Sequence, residues 1–223
     1  MDPITLAGII VVVVLSITTH EASHGFVADR LGDPTARALG RLTLNPIPHI
    51  DLVFTILLPA FLLLSGAHII FGGAKPVPVN VSRLRRPRRD WALVGAAGPL
   101  SNLAIATGLS ALLSLLAHLG ILAPASPGTE VLVVGIFVNV LLAIFNLIPI
   151  PPLDGSRVVQ YFLSAEALAN YRKMEQFGLI IIVVLVFFVP FVQSLLSVAI
   201  FSTVGMMASI FGITREVVYV FRG

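Results

Sequence analysis

From Ile4 to Thr19 the chain carries no charged residue, and this run ends on His20-Glu21-Ala22-Ser23-His24. A stretch of this kind is expected to enter lipid as a helix, because a helix satisfies its own backbone where no water is present. Three ionisable side chains at the end of such a helix are costly there, which marks them as a functional cluster. Residues four apart project from one helix face, so His20 and His24 can grip one metal ion. Glu21 then stands next to the first histidine as the base that takes a proton from a metal-activated water.

Composition supports the membrane setting. Of 223 residues 57% are hydrophobic and 11% charged, and the mean hydropathy is +1.00. A water-soluble domain carries about 25% charged residues. The apolar runs are long and rich in Leu, Ile, Val, Ala and Gly, unlike the ten-residue alternation of a membrane barrel. With no cysteine, disulfides, cysteine-ligated zinc and cysteine nucleophiles are excluded. The N-terminus lacks the basic stretch and cleavage site of a signal peptide, so the first helix is expected to be retained.

Spans are expected over about Ile4–Ala28, Leu93–Leu119, Val131–Ile148, Phe177–Val189 and Leu195–Ile213. Leu52–Phe71, broken by Pro59 and Gly66, is ambiguous, and charge decides it. If it enters the membrane and returns, all 14 Lys and Arg lie on one side. The positive-inside rule then gives an external N-terminus, a cytoplasmic C-terminus and an active site toward the cytoplasmic face. Lys75-Pro76-Val77-Pro78-Val79-Asn80 alternates Val and Pro and is expected to form a strand-like edge. The cluster Arg83, Arg85, Arg86, Arg88 and Arg89 is expected to anchor anionic lipid rather than bind nucleic acid. The expected fold class is an all-α integral membrane protein. It is read as a single domain over residues 1–223, with about five transmembrane helices, a re-entrant segment and a short strand-like edge near the active site. The catalytic core is placed in residues 4–159 and the C-terminal helices in 177–213.

Hydrolytic zinc takes three protein ligands and leaves a position for water. His118 and Glu130 fall toward the uncharged side, and His68 lies in the doubtful run. His49 and Asp51 read equally as a surface loop or as supporting partners. Asp154 is favoured, because it follows an apolar helix and a Pro-rich break, with Gly155 expected to let the backbone turn sharply. In the Gly95–Asn102 helix opening, small residues suit close helix packing. Asn102 is the exception, since its amide needs a partner inside the membrane.

The His20–His24 motif, taken together with Asn146-Leu147-Ile148-Pro149-Ile150-Pro151-Pro152-Leu153-Asp154-Gly155, resembles the site-2 protease family of intramembrane zinc metallopeptidases. Gly98-Pro99-Leu100-Ser101-Asn102 and Gly73–Asn80 are similar to its short bacterial and archaeal branch, without a PDZ or CBS domain. The resemblance covers about Ile4 to Val159. It implies one Zn2+ per chain, held by His20, His24 and Asp154, with Glu21 as the catalytic base and Asn146 acting near the scissile carbonyl. It also implies hydrolysis of peptide bonds in transmembrane protein substrates, with membrane lipids as the other partner. Two other classes stay open on the residues alone: a metal or proton transporter, and a non-proteolytic scaffold that binds membrane helices.

Overall fold

The structure, a computed structural model, describes residues 2–51, 57 and 73–222. Asp2 starts the first helix, its Oδ1 accepting hydrogen bonds from the Ile4 and Thr5 amides at 2.9 and 3.0 Å. Pro3 fills the first helical position, where a missing N–H costs nothing. The resulting α1 (Pro3–Arg30) contains the whole His20–His24 motif. A short α2 (Thr35–Ala38) follows, then α3 (Pro87–His118), α4 (Pro127–Asn146), α5 (Asp154–Gln160), α6 (Ala165–Lys173), α7 (Gly178–Phe188), α8 (Pro190–Phe211) and α9 (Thr214–Arg222). Among the described residues all regular structure is helical.

Among the described residues α1, α3, α4 and α8 are long and apolar enough to cross a membrane. The expected span at Phe177–Val189 is the 11-residue helix α7. At 1.5 Å per residue it rises roughly 16 Å, about half the hydrocarbon thickness. The expected re-entrant Leu52–Phe71 lies outside the described residues. Its described flanks come together: the Lys75 amide donates to His49 O at 2.8 Å, and the Arg85 amide to Leu31 O at 3.1 Å. Residues 73–80 form neither helix nor strand.

The bundle is built on α3, which packs against α1, α4, α5 and α8. Its core away from the motif contains Ala106, Leu113, Val133, Ile136, Val140, Val204 and Met207. Ile4, Ile10, Leu100, Leu115, Phe201 and Ile210 point outward, as lipid-facing side chains of membrane helices do.

One charge assignment is corrected. Gly178 starts α7 against the Pro151 carbonyl, at the end of the bundle that holds the His20–His24 motif. Ile213, just past α8, is buried with Leu113 and Val133 at the opposite end. There Tyr219 and Val220 of α9 line a hollow with Pro124, Ser126 and Glu130. From Gly178 to Ile213 the chain therefore makes one net crossing rather than two. Arg215 and Arg222 thus lie on helix α9 at the far end, so the 14 cations do not share one side, nor is the C-terminus on the side of the motif. Two short apolar runs separated by Pro190 look alike in sequence whether they form a hairpin or a single broken ascent.

The segment 73–86 is tied down by Asp33, which is fully buried. Its Oδ2 accepts the Asn80 amide at 2.6 Å, and its Oδ1 accepts the Thr35 amide at 3.1 Å together with the Thr35 hydroxyl. Burial disfavours the charge of Asp33, but these hydrogen bonds, with Arg83 nearby, outweigh it and hold the carboxyl below its usual range. A depressed carboxyl stabilises the fold above its unfolded pKa of about 3.9, and that contribution is lost as pH falls through the lowered folded value. Asp33→Ala should cost about 1–3 kcal/mol by leaving the Asn80 amide unpaired. Hydrogen exchange at that amide should quicken in the variant at pH 7, whereas in the wild type it stays protected until the pH falls below the usual carboxylate range.

Candidate metal centre

His20 and His24 lie one turn apart on α1, and both are buried. The third corner comes from α5, which opens on Asp154. Asp154 Oδ2 lies 3.0 Å from His20 Nε2 and 3.2 Å from His24 Nε2, and the two imidazole Nε2 atoms are 3.2 Å apart. The distant residue favoured from the sequence is therefore brought to the motif. Its other oxygen, Oδ1, pairs with Arg157 Nη1 at 3.0 Å, while the Arg157 guanidinium lies over the Trp91 ring, 4.6 Å from its centroid.

Each imidazole is fixed from behind. His24 Nδ1 donates to Val94 O at 2.6 Å. Val94 lies in the α3 turn ahead of Pro99, a proline that removes one helix hydrogen bond and crowds the preceding turn. His20 Nδ1 faces Asn102 Oδ1 at 2.6 Å. An oxygen without hydrogen only accepts, so both Nδ1 atoms carry the proton, and in the neutral rings that bind a metal both Nε2 atoms present lone pairs. Two bare nitrogens and a carboxylate oxygen then face one another at 3.0–3.2 Å. Three electron-rich atoms this close in a dry interior repel unless a cation joins them. A two-histidine, one-carboxylate set with room for water is the donor set of a hydrolytic zinc site. The residues present fit the metal.

Two glycines make the approach possible. A Cβ on Gly98 would lie 2.5 Å from His20 Cε1 and 2.6 Å from both Nε2 atoms. A Cβ on Gly155 would lie 2.2 Å from the Leu147 carbonyl oxygen. Gly155 was expected to serve a sharp turn. Its φ is not positive, and what it provides is close passage of two backbone segments.

Glu21 is half-buried, and its Oε2 accepts the Val77 amide at 2.9 Å. The segment carrying Val77 is held by Arg41 Nη2, which donates to Lys75 O at 2.8 Å and to Pro76 O at 3.3 Å. Asn146 ends α4, where its Nδ2 donates to Leu142 O at 2.9 Å; it makes no described contact with His20, His24 or Asp154. The remaining sequence candidates stand apart. His49 Nε2 donates to Thr43 O, His118 Nδ1 faces Ser114 O at an exposed helix end, and Glu130 lines the far-end hollow. Asp51 is outside the cluster of ligand atoms, and His68 lies outside the described residues.

Sequence reasoning missed how far the site extends behind the ligands. Asn102 had been noticed for its amide, but its partner His20 had not. Asn139, fully buried in α4, carries the same signal of an amide inside a membrane span and was passed over. Arg157, three residues after Asp154, was legible from helical spacing alone.

The family model described as Peptidase family M50 matches residues 121–189, which include Asp154. The Bacillus subtilis (strain 168) protein named "Putative zinc metalloprotease YwhC" is 39% identical over 180 residues, covering 79% of this chain and 78% of that one. Two mycobacterial proteins named "Putative zinc metalloprotease Rip2" also match. The one from Mycolicibacterium smegmatis is 30% identical over 191 residues, covering 82% of this chain and 69% of that one. The one from Mycobacterium tuberculosis (strain H37Rv) is 32% identical over 193 residues, covering 83% and 70%. No solved structure matches the chain.

The Gly98 contact gives a direct check on the geometry. Gly98→Ala should displace both imidazoles and lower zinc affinity more than about tenfold, within the 10–100-fold range that disturbed supporting residues cost. The measurement is metal content by elemental analysis on folded, detergent-purified protein.

Proposed function

We propose, from the premise that the chain belongs to peptidase family M50 and is a zinc metalloprotease, that it cuts peptide bonds of transmembrane substrate helices within the membrane. The observation that carries this reading is that Asp154 of the short α5 meets His20 and His24 on α1, a helix long and apolar enough to cross a membrane. A soluble substrate does not reach such a site, whereas a segment already in the bilayer does. An apolar hollow of about 520 Å³ lined by Ala22, Phe26, Leu42, Ala97 and Leu100 opens between α1 and α3 beside the motif, and it suits a hydrophobic peptide segment.

In this reading His20, His24 and Asp154 hold Zn2+. When bound, zinc supplies Lewis acidity, polarising the scissile carbonyl and acidifying water. Glu21 accepts the proton from the attacking water and delivers it to the leaving amine. With Oε2 held by the Val77 amide, its Oε1 remains for proton transfer. Asn146 keeps a second amide hydrogen beyond the one given to Leu142 O, and it is assigned to the carbonyl oxygen as that atom gains charge. The catalytic core is placed in residues 4–159, with the helices in 177–213 supporting it from α8. Residues 30–51, 73–89 and 157–173 carry twelve of the 14 Lys and Arg at the motif end, so that end is assigned to the cytoplasm. A substrate helix must unwind to expose its carbonyl, and an extended peptide could then pair beside residues 75–80. The Val77 amide is already committed to Glu21, so the first task of that segment is to hold the carboxylate.

The test is cleavage of a single-span substrate in detergent micelles. Wild type should cut it, and a zinc chelator should stop the reaction. Glu21→Gln should retain one zinc per chain yet cleave at least ~100-fold more slowly, the scale of a lost general base. Equal cleavage by Glu21→Gln would overturn the assignment.

A further inference from the structure

Behind His20 lies a buried chain of amides and hydroxyl that the catalytic reading does not use. Asn102, Asn139 and Ser16 are 0%, 0% and 2% exposed, and they come from α3, α4 and α1 respectively. In a membrane interior no water competes for such groups, so each hydrogen must go to a protein partner.

The direction of every bond can be worked out from groups that cannot change roles. Backbone carbonyls only accept. One terminal atom of Asn139 lies 2.9 Å from Gly135 O, so that atom is the amide nitrogen. It also lies 2.7 Å from Ser16 Oγ, whose own hydrogen is given to Val12 O at 2.7 Å. The other terminal atom of Asn139 is therefore the oxygen, and it accepts from Asn102 at 2.8 Å. The same Asn102 atom lies 3.4 Å from Ser16 O, a second carbonyl that requires nitrogen there. What remains on Asn102 is its oxygen, 2.6 Å from His20 Nδ1. Nδ1 must carry the hydrogen, so in the neutral ring Nε2 is left bare toward His24 and Asp154.

We propose that Asn102 is a positioning residue that fixes the tautomer of His20, and that Asn139 and Ser16 fix the orientation of Asn102 in turn. The inference rests on His20 being a metal ligand. His24 receives the same instruction from the Val94 carbonyl, which belongs to the backbone and cannot flip. A side-chain amide can. Flipped, Asn102 would present N–H to Nδ1, move the ring hydrogen to Nε2 and close that nitrogen to a metal. The relay removes that alternative, because a flip would set the Asn102 oxygen against Asn139 Oδ1 and the Ser16 carbonyl, acceptor against acceptor, and leave both without a donor.

The experiment measures zinc affinity by chelator competition, with thermal stability in parallel, on full-length protein in detergent. Asn102→Leu should weaken zinc binding 10–100-fold. Asn102→Asp keeps an acceptor for His20 Nδ1 but loses the donation to Asn139. It should bind zinc within about threefold of wild type while being no more stable than Asn102→Leu. Asn139→Leu, which touches no metal ligand, should lower affinity by a smaller factor, about three- to tenfold, by freeing Asn102 to flip. A role confined to holding helices together makes the opposite forecast: affinity tracks stability, and Asn102→Asp fares no better than Asn102→Leu. That result, or folded Asn102→Leu or Asn139→Leu binding zinc as tightly as wild type, overturns the relay. If wild type binds no zinc, or His20→Ala binds it undiminished, the ligand assignment beneath the relay falls instead.

Discussion

Two imidazole nitrogens and a carboxylate oxygen within 3.2 Å of one another, all sealed from water, form an arrangement that a protein interior holds only with a shared proton or a metal cation between them. Much of the bundle can be read as the means of holding it. α1 supplies His20 and His24 one turn apart, α5 brings Asp154 from far along the chain to complete a group able to hold a metal ion, and α3 places a glycine where any side chain would strike both rings. Each histidine is backed at Nδ1, His24 by the Val94 carbonyl and His20 by the Asn102 amide oxygen. Arg157 on the far oxygen of Asp154 balances part of its charge and leaves Oδ2 for the centre.

The membrane sharpens these constraints. In water, Asn102 and Asn139 would exchange partners with solvent, and neither amide would be held to one orientation. In a bundle surrounded by lipid, each hydrogen bond must be made within the protein, so a polar side chain also specifies geometry. The same logic explains the surface segment from Gly73 to Arg86. Its anchors, Asp33 and Arg41, are buried or nearly so, and the ordered segment presents a backbone amide to Glu21. Glu21 is thus oriented by a chain segment distant in sequence, as His20 and His24 are.

Where the sequence was misleading, the reason is physical. Phe177–Val189 and Leu195–Ile213 each have the composition of a membrane span, and composition carries no information about direction. The direction of α8 after the break at Pro190 became visible only with coordinates, and with it the placement of α9 beside residues 124–130. Gly155 was legible as a required glycine but for the wrong cause, since turn formation and close backbone passage both select the residue that lacks a Cβ.

The sequence by itself determined the membrane class, the helical class, the zinc-hydrolase motif and the identity of the third ligand candidate. These follow from local properties: hydropathy over about twenty residues, four-residue helical spacing, and the small set of side chains able to bind zinc. Only the tertiary structure decided which asparagine stands behind which histidine, which carbonyl fixes the second ring, and which amide orients Glu21. Those pairings join residues 56 to 82 positions apart, and no local pattern encodes a contact made by packing separate segments together.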